Sequence, residues 1–171
     1  MIFDPFENRL CRDIRNQLSE IFLTALQTRD PSILTAVVNT QKQKALDPHH
    51  LDYIDDRIKR YEKLLNLADP KSQGQYPMAK LLWDQKLFFE CHEWLEPFWV
   101  NATGHEKKAI QALIRTAGTY VLLEANRMSG AQKSAPKAIA LLQEYKQYIP
   151  SVFKPDQLIQ DLESLAPTTL D

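Results

Sequence analysis

Leu87-Phe88-Phe89-Glu90-Cys91-His92-Glu93-Trp94-Leu95-Glu96-Pro97-Phe98-Trp99 sets acid, imidazole and aromatic side chains side by side in one short run of the 171-residue chain. Read as a helix turning about 100° per residue, it puts Phe88, His92, Leu95, Glu96 and Trp99 on one side. His92 and Glu96, four residues apart, are then expected to meet in an apolar setting, and a site is expected there. Pro97 cannot donate to the Glu93 carbonyl, so the helix should kink, restart or end at that point. The carbonyl freed beside His92 is open to a side chain, a water or a ligand.

The flanking sequence reads as helix on both sides. Downstream, Ile110, Leu113, Ile114, Ala117, Tyr120, Val121 and Leu122 recur at threes and fours, which predicts a helix over about 105–127, apolar enough to be central. A turn is expected at Ser129–Ser134, then a helix through Ala138, Leu142 and Tyr145 to Pro150, and a last helix opened by Pro155. Upstream, Met78, Leu81 and Leu82 predict a short helix that turns near Asp84-Gln85-Lys86.

The first seventy residues contain no glycine, and Asp-Pro pairs punctuate them instead. Asp4-Pro5, Asp30-Pro31 and Asp47-Pro48 read as helix starts, because the carboxylate can cap free N–H groups while Pro occupies the first turn. Glu7, three residues after Asp4, completes a capping-box spacing. Three amphipathic helices follow, over about 5–28, from 31 to about 46, and between Pro48 and Asp69. His49 and His50 fall at the start of the third. Adjacent helical residues point about 100° apart, so this pair is read as a solvated helix start and not as a shared metal site.

These readings give an all-α single domain, an antiparallel bundle of about seven helices. Residues 1–69 form an N-terminal helical extension, 70–77 a linker and 78–166 the helical core. A formal net charge of −1 provides no electrostatic footprint for nucleic acid. Cys11 and Cys91 are the only thiols and lack CxxC spacing, so neither a disulfide framework nor a thiolate zinc site is suggested. With no basic-apolar leader and no run of apolar residues long enough to span a bilayer, a cytoplasmic location is expected and a membrane partner is not.

Phe89-Glu90-Cys91-His92-Glu93-Trp94-Leu95-Glu96-Pro97-Phe98-Trp99 resembles the signature of the DUF309 family, all-helical proteins without an assigned function. The hallmark is a His, three residues, a Glu, two residues and an aromatic, here His92, Glu96 and Trp99. Gln111 is similar to a Gln near the start of the following family helix. Arg115 stands where a second Gln is usual, Pro97 interrupts the motif, and the spacer around Met128 to Pro136 reads as longer than the family's. The resemblance covers about residues 78–145. It implies a metal role for His92 and Glu96, with a divalent metal as cofactor.

Weighed on their own chemistry, an imidazole and a carboxylate at i, i+4 can reach one ion, and Glu93 or Glu90 can orient a ligand from behind. A third ligand is needed, and His105 and Glu124 are the candidates. The spacing is not HExxH, so a two-imidazole protease mechanism does not transfer. The other reading is a core network of His92 and Glu96 joined by Glu90, Gln111 and Arg115, with Phe89, Trp94 and Trp99 as an aromatic wall. Two function classes follow. One is a small binding or scaffold module whose His/Glu cluster organises the core, with a protein or small-molecule partner, a second copy of the chain included. The other is a metal-dependent, hydrolase-like enzyme with His92 and Glu96 as ligands and Glu93 as the catalytic base.

Overall fold

In the computed structural model, residues 2–43, 47–67 and 74–166 are described. They are all-α, with eight α-helices and no strand among them. The chain divides into two compact units, Met1–Gly74 and Gln75–Asp171, with the boundary inside the stretch expected to be a linker. Its residues 70–73 lie outside the described residues, and its end is already helical, since α4 begins at Gln75.

In the N-terminal unit, α1 (Arg9–Thr28) packs against α2 (Ser32–Lys42) and α3 (Pro48–Leu67). The α1 stripe buries Ile14, Leu18, Phe22, Ala25 and Leu26 at threes and fours, while Leu10 is exposed. Phe22 stacks on Tyr61 of α3 with ring centroids 4.0 Å apart. The Asp4-Pro5 pair does not start α1. Asp4 Oδ1 accepts from the Phe6 N–H at 2.9 Å and closes a separate turn, and Asn8 caps the helix by accepting from the Cys11 N–H at 3.1 Å. A competing local turn thus displaces the predicted cap by four residues. Asp30 behaves as expected, with Oδ1 accepting from the Ser32 N–H at 3.0 Å. The expected end of α2 near Leu46 falls on residues 44–46, outside the described residues.

The C-terminal unit is built from α4 (Gln75–Asp84), α5 (Phe88–Asn101), α6 (Gly104–Glu124), α7 (Met128–Glu144) and α8 (Pro155–Glu163), with short 3₁₀ turns at Lys146–Tyr148 and Ser151–Phe153. Consecutive helices pack on one another, and α6 lies against both α5 and α7, the central position its apolar content predicts. Joins of two or three residues make α4 to α7 successive antiparallel hairpins. The α6–α7 seam joins two helices that bury small residues, among them Ala109, Ala112 and Ala117 on α6 and Ala131, Ala135 and Ala138 on α7. Within it the Thr119 hydroxyl donates to Ser134 Oγ at 2.8 Å.

Two expectations are corrected here. Ser129–Ser134 is not a turn but lies in the first two turns of α7, and Pro136 sits inside that helix. The chain reverses earlier, at Asn126, whose φ of 56° is left-handed. Ser129 and Lys133 there are exposed, while Ala131 and Ala135 supply the buried face and Ser134 meets Thr119 of α6. The longer spacer inferred around Met128 to Pro136 is therefore helix. Pro97 likewise neither ends nor restarts α5, which continues to Asn101, whose side-chain amide donates to the Pro97 carbonyl at 2.8 Å.

Leu95 is fully buried on α5 and Val100 is 63% exposed on the same helix. Leu95→Ala is expected to lower unfolding free energy by about 2–5 kcal/mol, and Val100→Ala to change it by about 0.5 kcal/mol or less, in urea titrations followed by circular dichroism.

Candidate functional site

Packing decides which face of α5 goes inward. Leu87, Phe88, Cys91, Trp94 and Leu95 are buried, together with the fully buried Glu90. Two of them anchor the helix by hydrogen bonds: Trp94 Nε1 donates to the Gln75 carbonyl at 3.0 Å, and Cys91 Sγ donates to the Ala79 carbonyl at 3.4 Å. Phe88 joins Trp83 and Tyr120 in a three-ring cluster with centroids 4.8–5.0 Å apart. Burial raises the Cys91 thiol well above its ordinary range, with the neighbouring Glu90 charge adding to the shift.

The consequence is that His92, Glu93 and Glu96 face outward. The expected apolar setting is corrected: the His92, Glu93 and Glu96 side chains are 26%, 38% and 50% exposed. The inward stripe runs through 87, 88, 91, 94 and 95, and the 92/96/99 positions lie beside it. Carboxylates flank both ring nitrogens of His92, with Nδ1 3.3 Å from Glu93 Oε1 and Nε2 3.8 Å from Glu96 Oε1. One donor atom from each of the three residues lies within 4.8 Å of the others. The arrangement can hold a protonated imidazole between two carboxylates, or present an imidazole and two carboxylates to a cation.

The remaining residues read from the sequence are distributed as follows. Phe89 is half-buried, its ring parallel to that of His92 at a centroid distance of 6.4 Å. Trp99 is also half-buried, and the Lys107 ammonium at the start of α6 lies 4.9 Å from its ring centroid. Trp94 belongs to the interior and not to this face. Gln111 accepts from Lys108 at 3.5 Å, and Arg115 is exposed. Of the two candidate third ligands, His105 stacks on Tyr148 with centroids 4.4 Å apart, and Glu124 is exposed at the far end of α6. The third donor in the cluster is Glu93, adjacent to His92 in sequence. Lys107 carried no signal in the sequence, since a lone lysine beyond a loop resembles any solvated lysine.

Residues 76–134 match the family model DUF309, a domain of unknown function. The DUF309 match begins in α4, spans α5 and α6 and ends within α7, so it contains the whole His92/Glu93/Glu96 cluster together with Trp99 and Lys107. It starts close to the expected position, while residues 135–145 of the resemblance lie beyond it. No curated protein and no solved structure matches the chain. No helix among the described residues is long and apolar enough to cross a membrane.

Two predictions follow from burial. A partly exposed ion pair contributes little, so Glu96→Gln is expected to cost about 1 kcal/mol or less in a denaturant titration, against the 3–5 kcal/mol typical of breaking a buried pair. For Cys91 the raised thiol means that the neutral form stabilises the fold below the ordinary thiol range near 8.5, a contribution lost as pH rises through the elevated folded value. Melting temperature of wild type relative to Cys91→Ala should therefore hold steady through neutral pH and fall only in alkali.

Proposed function

We propose that the C-terminal unit is a binding module whose recognition face is the outward side of α5, and that it takes lysine or arginine side chains of a protein partner. The observation that carries this reading is the Lys107 ammonium over the Trp99 ring at 4.9 Å, since the face already receives a cation from its own chain. An aromatic face attracts a cation through its quadrupole, by about 0.5–1 kcal/mol at exposed sites. Glu96, about one turn away, and Glu93, nearly two turns away, add carboxylates able to make charge-assisted hydrogen bonds to an incoming ammonium or guanidinium. His92 lies between them, Nδ1 3.3 Å from Glu93 Oε1 and Nε2 3.8 Å from Glu96 Oε1. In this reading the cluster faces the partner, and the apolar side of α5 organises the core.

A second reading is favoured by the donor spacing: His92, Glu93 and Glu96 atoms within 4.8 Å suit a divalent cation, which would make this a metal-dependent, hydrolase-like site with His92 and Glu96 as ligands and Glu93 as the third donor. One set of samples separates the two. Isothermal titration of the full chain with a lysine- and arginine-rich peptide should show binding that weakens as salt rises. The Glu93→Gln/Glu96→Gln double variant should bind at least about tenfold more weakly. Equal binding by the variant would sink the module reading. Manganese or zinc retained stoichiometrically through dialysis, and lost in His92→Ala but not in Cys11→Ser, would move the assignment to the metal site.

A further inference from the structure

The N-terminal unit, outside the DUF309 match, holds a second cluster. Cys11 in the first turn of α1 and His49 and His50 in the first turn of α3 each bring one donor atom to within 4.8 Å of the others. Cys11 is fully buried and His50 is 3% exposed. Neither ring nitrogen of His50 has a hydrogen-bond partner among the described residues, and neither does the buried Nε2 of His49. The two imidazoles, expected to point apart, lie with centroids 3.9 Å apart and planes at 39°. Both residues sit in the first turn of α3, where long side chains can reach back across the helix end, and both reach toward α1. Buried imidazole nitrogens ordinarily find partners, because leaving them bare forfeits their hydration without replacement.

We propose that Cys11, His49 and His50 form a zinc site, with the Cys11 thiolate and one nitrogen from each imidazole as ligands. One thiolate with two imidazoles is a soft-to-borderline donor set suited to zinc and not to magnesium or calcium, which prefer oxygen. Tetrahedral zinc, with bonds of about 2.0–2.3 Å, sets its donors roughly 3.3–3.7 Å apart, so donors already within 4.8 Å of one another would close by about an ångström around the ion. On binding, the Cys11 thiol releases its proton to solvent and the sulfur takes the metal in its place. Three protein donors leave the fourth position to a water or a small ligand.

The test uses the full chain, reduced and freed of metal with a chelator, and titrated with cobalt(II) as an absorbing stand-in for zinc. The expected result is a thiolate-to-cobalt charge-transfer band that saturates at one equivalent and is bleached by zinc. The band should survive Cys91→Ser and vanish in Cys11→Ser, a near-isosteric change whose folding is checked by circular dichroism. His49→Gln, at a half-buried position, should weaken cobalt binding at least tenfold. Cobalt held by His92, Glu93 and Glu96 would give no thiolate band, so failure of either site is read separately. Absence of the band in wild type, its persistence in Cys11→Ser, or unchanged affinity in His49→Gln would overturn the assignment.

Discussion

Burial of the Leu87, Phe88, Cys91, Trp94 and Leu95 side of α5 is the constraint on which the C-terminal unit depends. A helix repeats every 3.6 residues, so once those positions turn inward, positions 92, 93 and 96 must turn out. The same burial fixes the neighbours. Trp94 reaches the Gln75 carbonyl and Cys91 the Ala79 carbonyl, which sets the register of α4 against α5. The chemistry of the His/Glu face is thus held by groups that take no part in it. Trp99 and Lys107 complete that face because α6 packs directly on α5.

The helices end and turn with few glycines. Arg29, Lys86, Asn126 and Lys154 adopt left-handed φ angles of 48–59° at helix boundaries, a conformation glycine would adopt at lower cost. The backbone hydrogen bonds that close these ends offset that cost: Asp30 N–H reaches the Ala25 carbonyl at 3.2 Å, and Arg127 N–H the Leu122 carbonyl at 2.9 Å. The prolines inside α5 and α7 show the same economy. Each removes one backbone donor, and at Pro97 the Asn101 side chain takes up the carbonyl of the proline itself.

The two clusters differ in donor chemistry and in exposure, and the difference follows from where each lies on its helix. His92, Glu93 and Glu96 are carboxylate-rich and partly solvated, so their charges interact with whatever approaches from solvent. Cys11, His49 and His50 are sulfur and nitrogen donors, with Cys11 and His50 buried and His49 half-buried. Phe3 helps to enclose the second cluster, edge-on to His50 at 6.1 Å and stacked on Tyr53 at 3.7 Å.

Helix content, the central place of α6 and the position of the His/Glu motif were legible in the chain because they rest on local periodicity and capping chemistry. Where several apolar residues compete for one face, as Phe88, Cys91, Trp94, Leu95 and Trp99 do on α5, periodicity leaves the buried side undecided by a residue or more. The Ser129–Ser134 stretch misled for a related reason: polar residues on an exposed helical face look like a turn when the buried alanines between them are small. The convergence of Cys11 with His49 and His50 could not be read at all, since nothing in the sequence relates residues so far apart. Sequence alone determined that this chain is helical and where its motif lies, because both are set within a few residues. Which face of that motif meets solvent, and which distant side chains share a site, was decided only by tertiary packing, because each depends on which surface the neighbouring helices cover.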